Sequence, residues 1–296
     1  MQPISKPLLT TLLAAALSFA QAPQPSTKKA MFWKVSSPTS VTWLLGSVHL
    51  GSKDMYPLAK EIEDAFESSA AVLVEADARK IDMAKVQSAV LAKGLYQPPD
   101  SLWEHISPDT RAKLEKFCEK YEFPCPNLAQ LKPWVVSLTI STIPMLKAGM
   151  DPKLGIDMYF LEKSDKKRVV EIESADWQID LISGFPDDLQ DKFLAAAAEE
   201  GADMKDTVQR LRDAWSSGDT DRLDAITRES TKTPEKITRA ILYDRNPHMA
   251  DVAEQFLKGK EPTFLIVGAA HMVGKEGIVA LLEKRGYKVE QVALKK

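Results

Sequence analysis

One short pattern occurs twice in this chain, and it limits the fold more than any other feature. Near the C-terminus, the apolar run Phe264 to Val267 is bounded by Pro262 and Gly268, which predicts a buried strand ending in a tight turn. His271 stands just beyond that end. Ile278, Leu281 and Leu282 then recur at helical spacing, Gly286 stops the helix, and Tyr287 to Val292 alternates like another strand. Near the N-terminus, Val41 to Leu50 repeats this: a strand runs to Gly46, His49 follows, Leu58, Ile62, Ala65 and Phe66 mark a helix, and Ala71 to Val74 form a strand that delivers Glu75. Each copy is therefore a strand-Gly-x-x-His-helix-strand module.

Two such modules predict an α/β protein with a small central sheet. Parallel strands gather their carboxyl ends along one edge, where ligands bind in the crevice. Both imidazoles are expected at that edge, with Glu75 beside them. Glycine before each His offers a positive φ or a close backbone approach.

The remaining chain supplies large helical insertions. Met31 to Trp43 reads as an edge or antiparallel hairpin turning at Ser36 to Ser40. Helices are expected over Met83 to Leu95, Pro108 to Tyr121 and Leu128 to Leu146. Of these, Trp134 to Leu146 reads as a buried helix broken at Pro144, too short to span a bilayer. Ile156, Phe160 and Leu161 share a helical face, and Val169 to Ile172 reads as a strand ending at Glu173. From Asp176 to Pro262 the pattern is helical again, and Arg245 and Asn246 precede its last helix. Methionines and tryptophans read as core. With 296 residues and 44% hydrophobic content, the chain can bury one large core, and residues 31–296 read as a single domain.

Charge excludes one class of partner. The net charge is -3, and no basic stripe is interleaved with aromatics, so nucleic acid is not expected. Lys6, the apolar run Leu8 to Ala20 and the small residues Ser18 and Ala20 follow the order of a secretory signal, which predicts a signal peptide over 1–20. Residues 21–30 read as a flexible lead-in. The expected destination is periplasmic or extracellular, with no stable membrane span after cleavage. In that setting Cys118 and Cys125, around the FPCP turn, favour a local disulfide over two buried thiols.

GSVH at 46–49, the strand ending in Glu75, GIDMYF at 155–160, the strand ending in Glu173, DRNPHMA at 244–250 and VGAAHMVGKEGI at 267–278 together resemble the TraB/PrgY/GumN family, which includes the Tiki proteins. The resemblance covers nearly all of the chain after the leader. It implies a fold similar to ChaN and erythromycin esterase. By analogy with Tiki proteins it also implies a metal-dependent protease, and by analogy with PrgY relatives a pheromone-shutdown role.

From the residues themselves, two imidazoles with one or two carboxylates in one crevice suit a divalent metal: Zn, Fe(II), Mn or Co. The expected ligands are His49, His271 and Glu75, with Glu75 and Glu173 sharing the roles of ligand and general base. Arg245 could steady an oxyanion or a substrate carboxylate, and Asn246 could orient a ligand. Each has a structural alternative: Glu75 as a helix cap, Glu173 and Arg245 as an ion pair, Asp157 as a helix-start residue. His105 and His248 read as surface or packing histidines. Two functions fit: an exported metal-dependent hydrolase of peptide bonds or esters, or a non-catalytic protein that binds a peptide or other small ligand in the same crevice.

Overall fold

The computed structural model describes residues 28–202, 204–229 and 233–294; the expected signal peptide lies outside the described residues. Strands β1 (Lys28–Ser36), β2 (Val41–Ser47), β3 (Ala71–Val74), β4 (Arg168–Glu171), β5 (Thr263–Gly268) and β6 (Lys288–Leu294) form one sheet in the order β4-β3-β5-β2-β1-β6. The four strands β4, β3, β5 and β2 run parallel, so their carboxyl ends share one edge. β1 pairs antiparallel with β2, as the hairpin pattern requires, and β6 covers its other side. The hairpin is thus interior to the sheet rather than at its edge. β1 also starts at Lys28, which takes residues 28–30 out of the expected lead-in.

Each repeat forms its module. From β2 the chain passes through the helix Lys60–Ser68 and crosses β5 to reach β3. From β5 it passes through the helices Ala269–Met272 and Ile278–Lys284 and runs the opposite way, to β6 beyond β1. The two connections leave on opposite faces, and a reversal of this kind opens a crevice at the carboxyl ends of the strands.

Period-two alternation places the core on both faces. Leu44, Leu265 and Leu73 lie in register and pack with Met249, Ala253 and Leu282. Their neighbours Leu45, Ile266 and Val74 form the next row and pack on the other face with Ile62, Phe66 and Phe160. Full burial of such side chains contributes about 1.5–3 kcal/mol each; with both faces covered, a one-residue slip would exchange the two rows and misfit each against its packing partners.

The helical insertions build a third cluster around Leu114, Phe117, Val136, Ile140 and Leu194. The Cys118–Cys125 disulfide is formed there, with Cα atoms 5.7 Å apart, and ties the end of the helix Pro108–Tyr121 to the turn after it. The next helix begins at Pro133 rather than Leu128 and runs through Pro144 to Lys147. It is not buried all round, because Leu138 and Leu146 are 41% and 50% exposed. Its apolar residues exceed what one face can cover. Trp177 also departs from the core assignment, being 44% exposed. No helix among the described residues is long and apolar enough to cross a membrane.

Candidate functional site

Strand register determines which side chains meet. Ser47 pairs with Gly268, so His49 and His271 both follow the carboxyl ends of neighbouring parallel strands. Val74 pairs with Ile266, which brings Glu75 to the same edge. β4 ends at Glu171, yet its ladder continues: Ile172 N–H donates to Val74 O at 2.8 Å, and Glu173 N–H to Glu75 O at 2.8 Å. Those two bonds carry Glu173 alongside Glu75.

Glu75 and Glu173 share one cation. Arg245, the residue before the helix Asn246–Leu257, donates from Nε to Glu173 Oε1 at 2.9 Å and from Nη2 to Glu173 Oε2 at 2.6 Å. The same Nη2 donates to Glu75 Oε2 at 2.8 Å. All three side chains are 11% exposed or less. Gln178, from the helix Ala175–Ser183, donates Nε2 to Glu173 Oε2 at 3.0 Å and reaches Glu75 Oε2 at 3.4 Å. Arg245 therefore holds the carboxylates instead of facing open solvent with a free guanidinium.

The remaining oxygen of Glu75 points the other way. Oε1 accepts the Gly268 N–H at 2.7 Å and lies 4.0 Å from His271 Nε2. Burial opposes ionisation of Glu75. The positive charge of His49 and Arg245, that of His271 when protonated, and the Gly268 amide outweigh it and hold the carboxyl well below its ordinary range. The glycine of the second repeat thus works as a backbone donor. Its φ is -48°, so the positive φ offered for it does not occur, and a Cβ there would meet Glu75 Oε1 at an ordinary contact distance of 3.4 Å.

His271 is fixed by an amide. Its Nδ1 lies 2.6 Å from Asn246 Oδ1, and Asn246 Nδ2 donates to Glu276 O at 2.8 Å. Since the amide nitrogen is committed to a carbonyl, the amide oxygen must accept, and the proton of a neutral His271 sits on Nδ1. Nε2 then presents its lone pair toward Glu75. Burial lowers the His271 pKa to about 4, so the ring is neutral near pH 7.

His49 differs. Its side chain is 60% exposed, and Nδ1 lies 3.3 Å from Asp157 Oδ2. Asp157 raises the pKa of this imidazole to about 9. The charges of Glu75 and Arg245 also act on it, which places it within electrostatic reach of the other groups. The two remaining histidines stay apart from this cluster: His105 stacks on Tyr96 and contacts Asp100, and His248 contacts Ile172 O.

In kind, the donors suit a divalent cation. A neutral imidazole whose second nitrogen is pinned, opposite an ionised carboxylate, is the usual arrangement of metal ligands with supporting hydrogen bonds. In number they fall short as placed. Among the described residues, no three His, Cys, Asp or Glu side chains are grouped to hold an ion, and His49 contacts Asp157.

Two members were missed or left open in the sequence. Gln178 gives no signal beyond its position in the first turns of a helix after Glu173. Asp157 lies inside GIDMYF, and its pairing with His49 comes from Gly155: Ile156 N–H donates to Val48 O at 3.0 Å, bringing the two segments into contact.

Comparison with other proteins agrees on ancestry. The TraB/PrgY/gumN family matches residues 31–291. A protein of uncharacterised function from Treponema pallidum (strain Nichols) is 21% identical over 94% of this chain and 88% of its own length. YbaP of Escherichia coli (strain K12), also uncharacterised, is 24% identical over 81% of this chain and 86% of its own. No solved structure matches the chain.

Proposed function

We propose that this chain, which belongs to the TraB/PrgY/gumN family, is an exported metal-dependent hydrolase acting on peptide bonds or esters at the carboxyl edge of its sheet. The observation that carries the reading is the Glu276–Asn246–His271 chain of hydrogen bonds, which leaves a bare Nε2 facing an ionised carboxylate. His271 and Glu75 would hold the ion, and His49, on the same edge, would be the third ligand once released from Asp157. A divalent ion of the Mn, Co, Zn or Fe(II) kind supplies, when bound, polarisation of a scissile carbonyl and an acidified water.

The protein's own groups do the rest. Asn246 fixes the ring of His271 in the tautomer that can ligate. Arg245 neutralises the two carboxylates so that both can be buried together, and holds Glu75 with one oxygen turned to the crevice. Glu75 would serve as ligand or as the base that takes a proton from the attacking water, and Glu173 would take the other of those roles once Arg245 frees one of its oxygens. Export rests on the leader pattern of residues 1–20, and the secreted chain should begin at Gln21 by mass spectrometry.

Metal-stripped protein titrated calorimetrically with Mn, Co, Zn and Fe(II) tests the reading. One ion should bind per chain, His271→Ala should weaken binding by at least tenfold, and Asn246→Ala should weaken it by about 10–100-fold. Turnover of peptide and ester substrates should fall in Glu75→Gln while the fold persists. If the wild-type protein binds none of the four, the hydrolase reading fails. A second reading then stands: a non-catalytic peptide or small-ligand binder, supported by the engagement of Glu75 Oε2 and both Glu173 oxygens by Arg245.

A further inference from the structure

A cavity of about 830 Å³ opens beside His49. That volume lies within the roughly 300–1,000 Å³ of pockets that enclose small ligands. None of Glu75, Glu173, Arg245 and His271 lines it, and it shares with the site only His49, which lines it with Val48 and Leu50, the residues just after β2. Its walls come from distant segments: Leu58 and Ile62 from the first module, Met145 and Met150 from the helical insertion, and Leu211 and Trp215 from the helix Met204–Ser217. Trp215 is anchored, since its indole N–H donates to Gly46 O at 2.7 Å. One wall of the cavity is thus tied to the strand that delivers His49. Met55, Met145 and Met150 also line it, and methionine adapts to irregular apolar shapes.

Charge decides what such a space accepts. Four charged side chains line it, and each has a partner: His49 with Asp157, Arg212 with Asp54, and Asp213 with Arg222. No lining charge is left over to receive an ionic group, while the apolar walls gain from covering an uncharged chain.

We propose that this cavity is the subsite for an uncharged apolar part of the substrate, an aliphatic acyl chain or the apolar side chains of a peptide, on the His49 side of the carbonyl under attack. The proposal rests on the reading of the adjoining edge as a substrate site, and it narrows the substrate class from peptides and esters in general to apolar ones.

The test separates binding from chemistry. Purified full-length protein is titrated with N-phenyl-1-naphthylamine, an uncharged apolar fluorophore, and the bound probe is competed with methyl octanoate, with acetyl-leucyl-leucine amide and with acetyl-aspartyl-aspartate amide. Saturable binding displaced by either apolar competitor and not by the acidic one is expected; which apolar competitor displaces it distinguishes acyl from peptide. Met145→Glu, which puts a charge on a partly buried wall position, and Ser216→Trp, which fills the space from an exposed one, should each weaken the probe at least tenfold with an unchanged melting temperature. No saturable binding, equal displacement by the acidic dipeptide, or unaltered affinity in both folded variants would overturn the proposal. Cation binding without probe binding sinks the subsite and leaves the hydrolase; probe binding without cation binding sinks the hydrolase, and with it the assignment of the cavity to a substrate under attack, and leaves an apolar ligand cavity of the binding-protein reading.

Discussion

Replacing Arg245 with methionine removes the guanidinium that touches both Glu75 and Glu173, and leaves two nearly buried carboxylates side by side. Three charge-assisted bonds to these carboxylates are lost at once, of 2.6, 2.8 and 2.9 Å. Methionine fills much of the volume, so the change is electrostatic more than steric. Breaking a buried pair by removing one partner costs about 3–5 kcal/mol, and that is the loss expected in urea unfolding at pH 7. The pH dependence identifies the cause. In the wild type Glu75 is held below its unfolded pKa, so the stability it contributes is present above about pH 4.3 and is lost as pH falls. Without Arg245 the carboxyl shifts upward instead. Its penalty is then full at neutral pH and shrinks as pH falls toward the unfolded value, where the proton relieves it. Arg245→Met with Glu173→Gln should recover about half of the loss by removing one of the two charges. A deficit under about 1 kcal/mol at pH 7, or one that widens between pH 7 and pH 5, would refute the account of Arg245 as the counter-ion of the site.

Two further outcomes follow from packing and cross-linking. Gly155→Ala would place a Cβ 2.5 Å from His49 O and 3.1 Å from Asp157 Oδ1. Overpacking of this kind costs about 1–3 kcal/mol, and NMR titration should show the His49 pKa falling from about 9 toward the ordinary imidazole value as Asp157 is pushed away; an unchanged titration would count against the contact. Serine at both Cys118 and Cys125 should cost about 2–3 kcal/mol for so short a loop, while the wild-type chain, unfolded without reductant, should show no alkylatable thiol.

Most of the frame is legible because burial on a sheet imposes period two and burial on one side of a helix imposes period 3.6. Leu44 and Leu45 each face a different core, so the central strands read as continuous apolar runs bounded by turn residues. What periodicity omits is which strand lies next to which. β6 alternates as clearly as β1, yet nothing in its residues states that it crosses two strands to pair with β1, and so the hairpin was read as a possible edge. Helix ends fail for a related reason. Pro144 sits near the end of its helix, where little of the backbone ladder remains to be interrupted, and the helix continues to Lys147. In the site, Glu75 and Glu173 could be placed from their positions after apolar strands, whereas Gln178 and Asp157 act through contacts made between segments far apart in sequence.

The two Gly-x-x-His copies also show how one local pattern yields two chemistries. After Gly268 the chain turns at once into the helix Ala269–Met272, which buries His271 against Asn246. After Gly46 it instead runs on past His49 to Gly51, where a Cβ would lie 1.7 Å from Leu154 O, so this loop is pressed onto the segment leading into GIDMYF and meets Asp157. An amide partner and burial keep one imidazole neutral with a free lone pair. A carboxylate partner keeps the other protonated near neutral pH. One repeated strand end thus yields a neutral, buried imidazole beside Glu75 and a cationic imidazole paired with Asp157, and the difference comes from what each chain segment meets after its glycine.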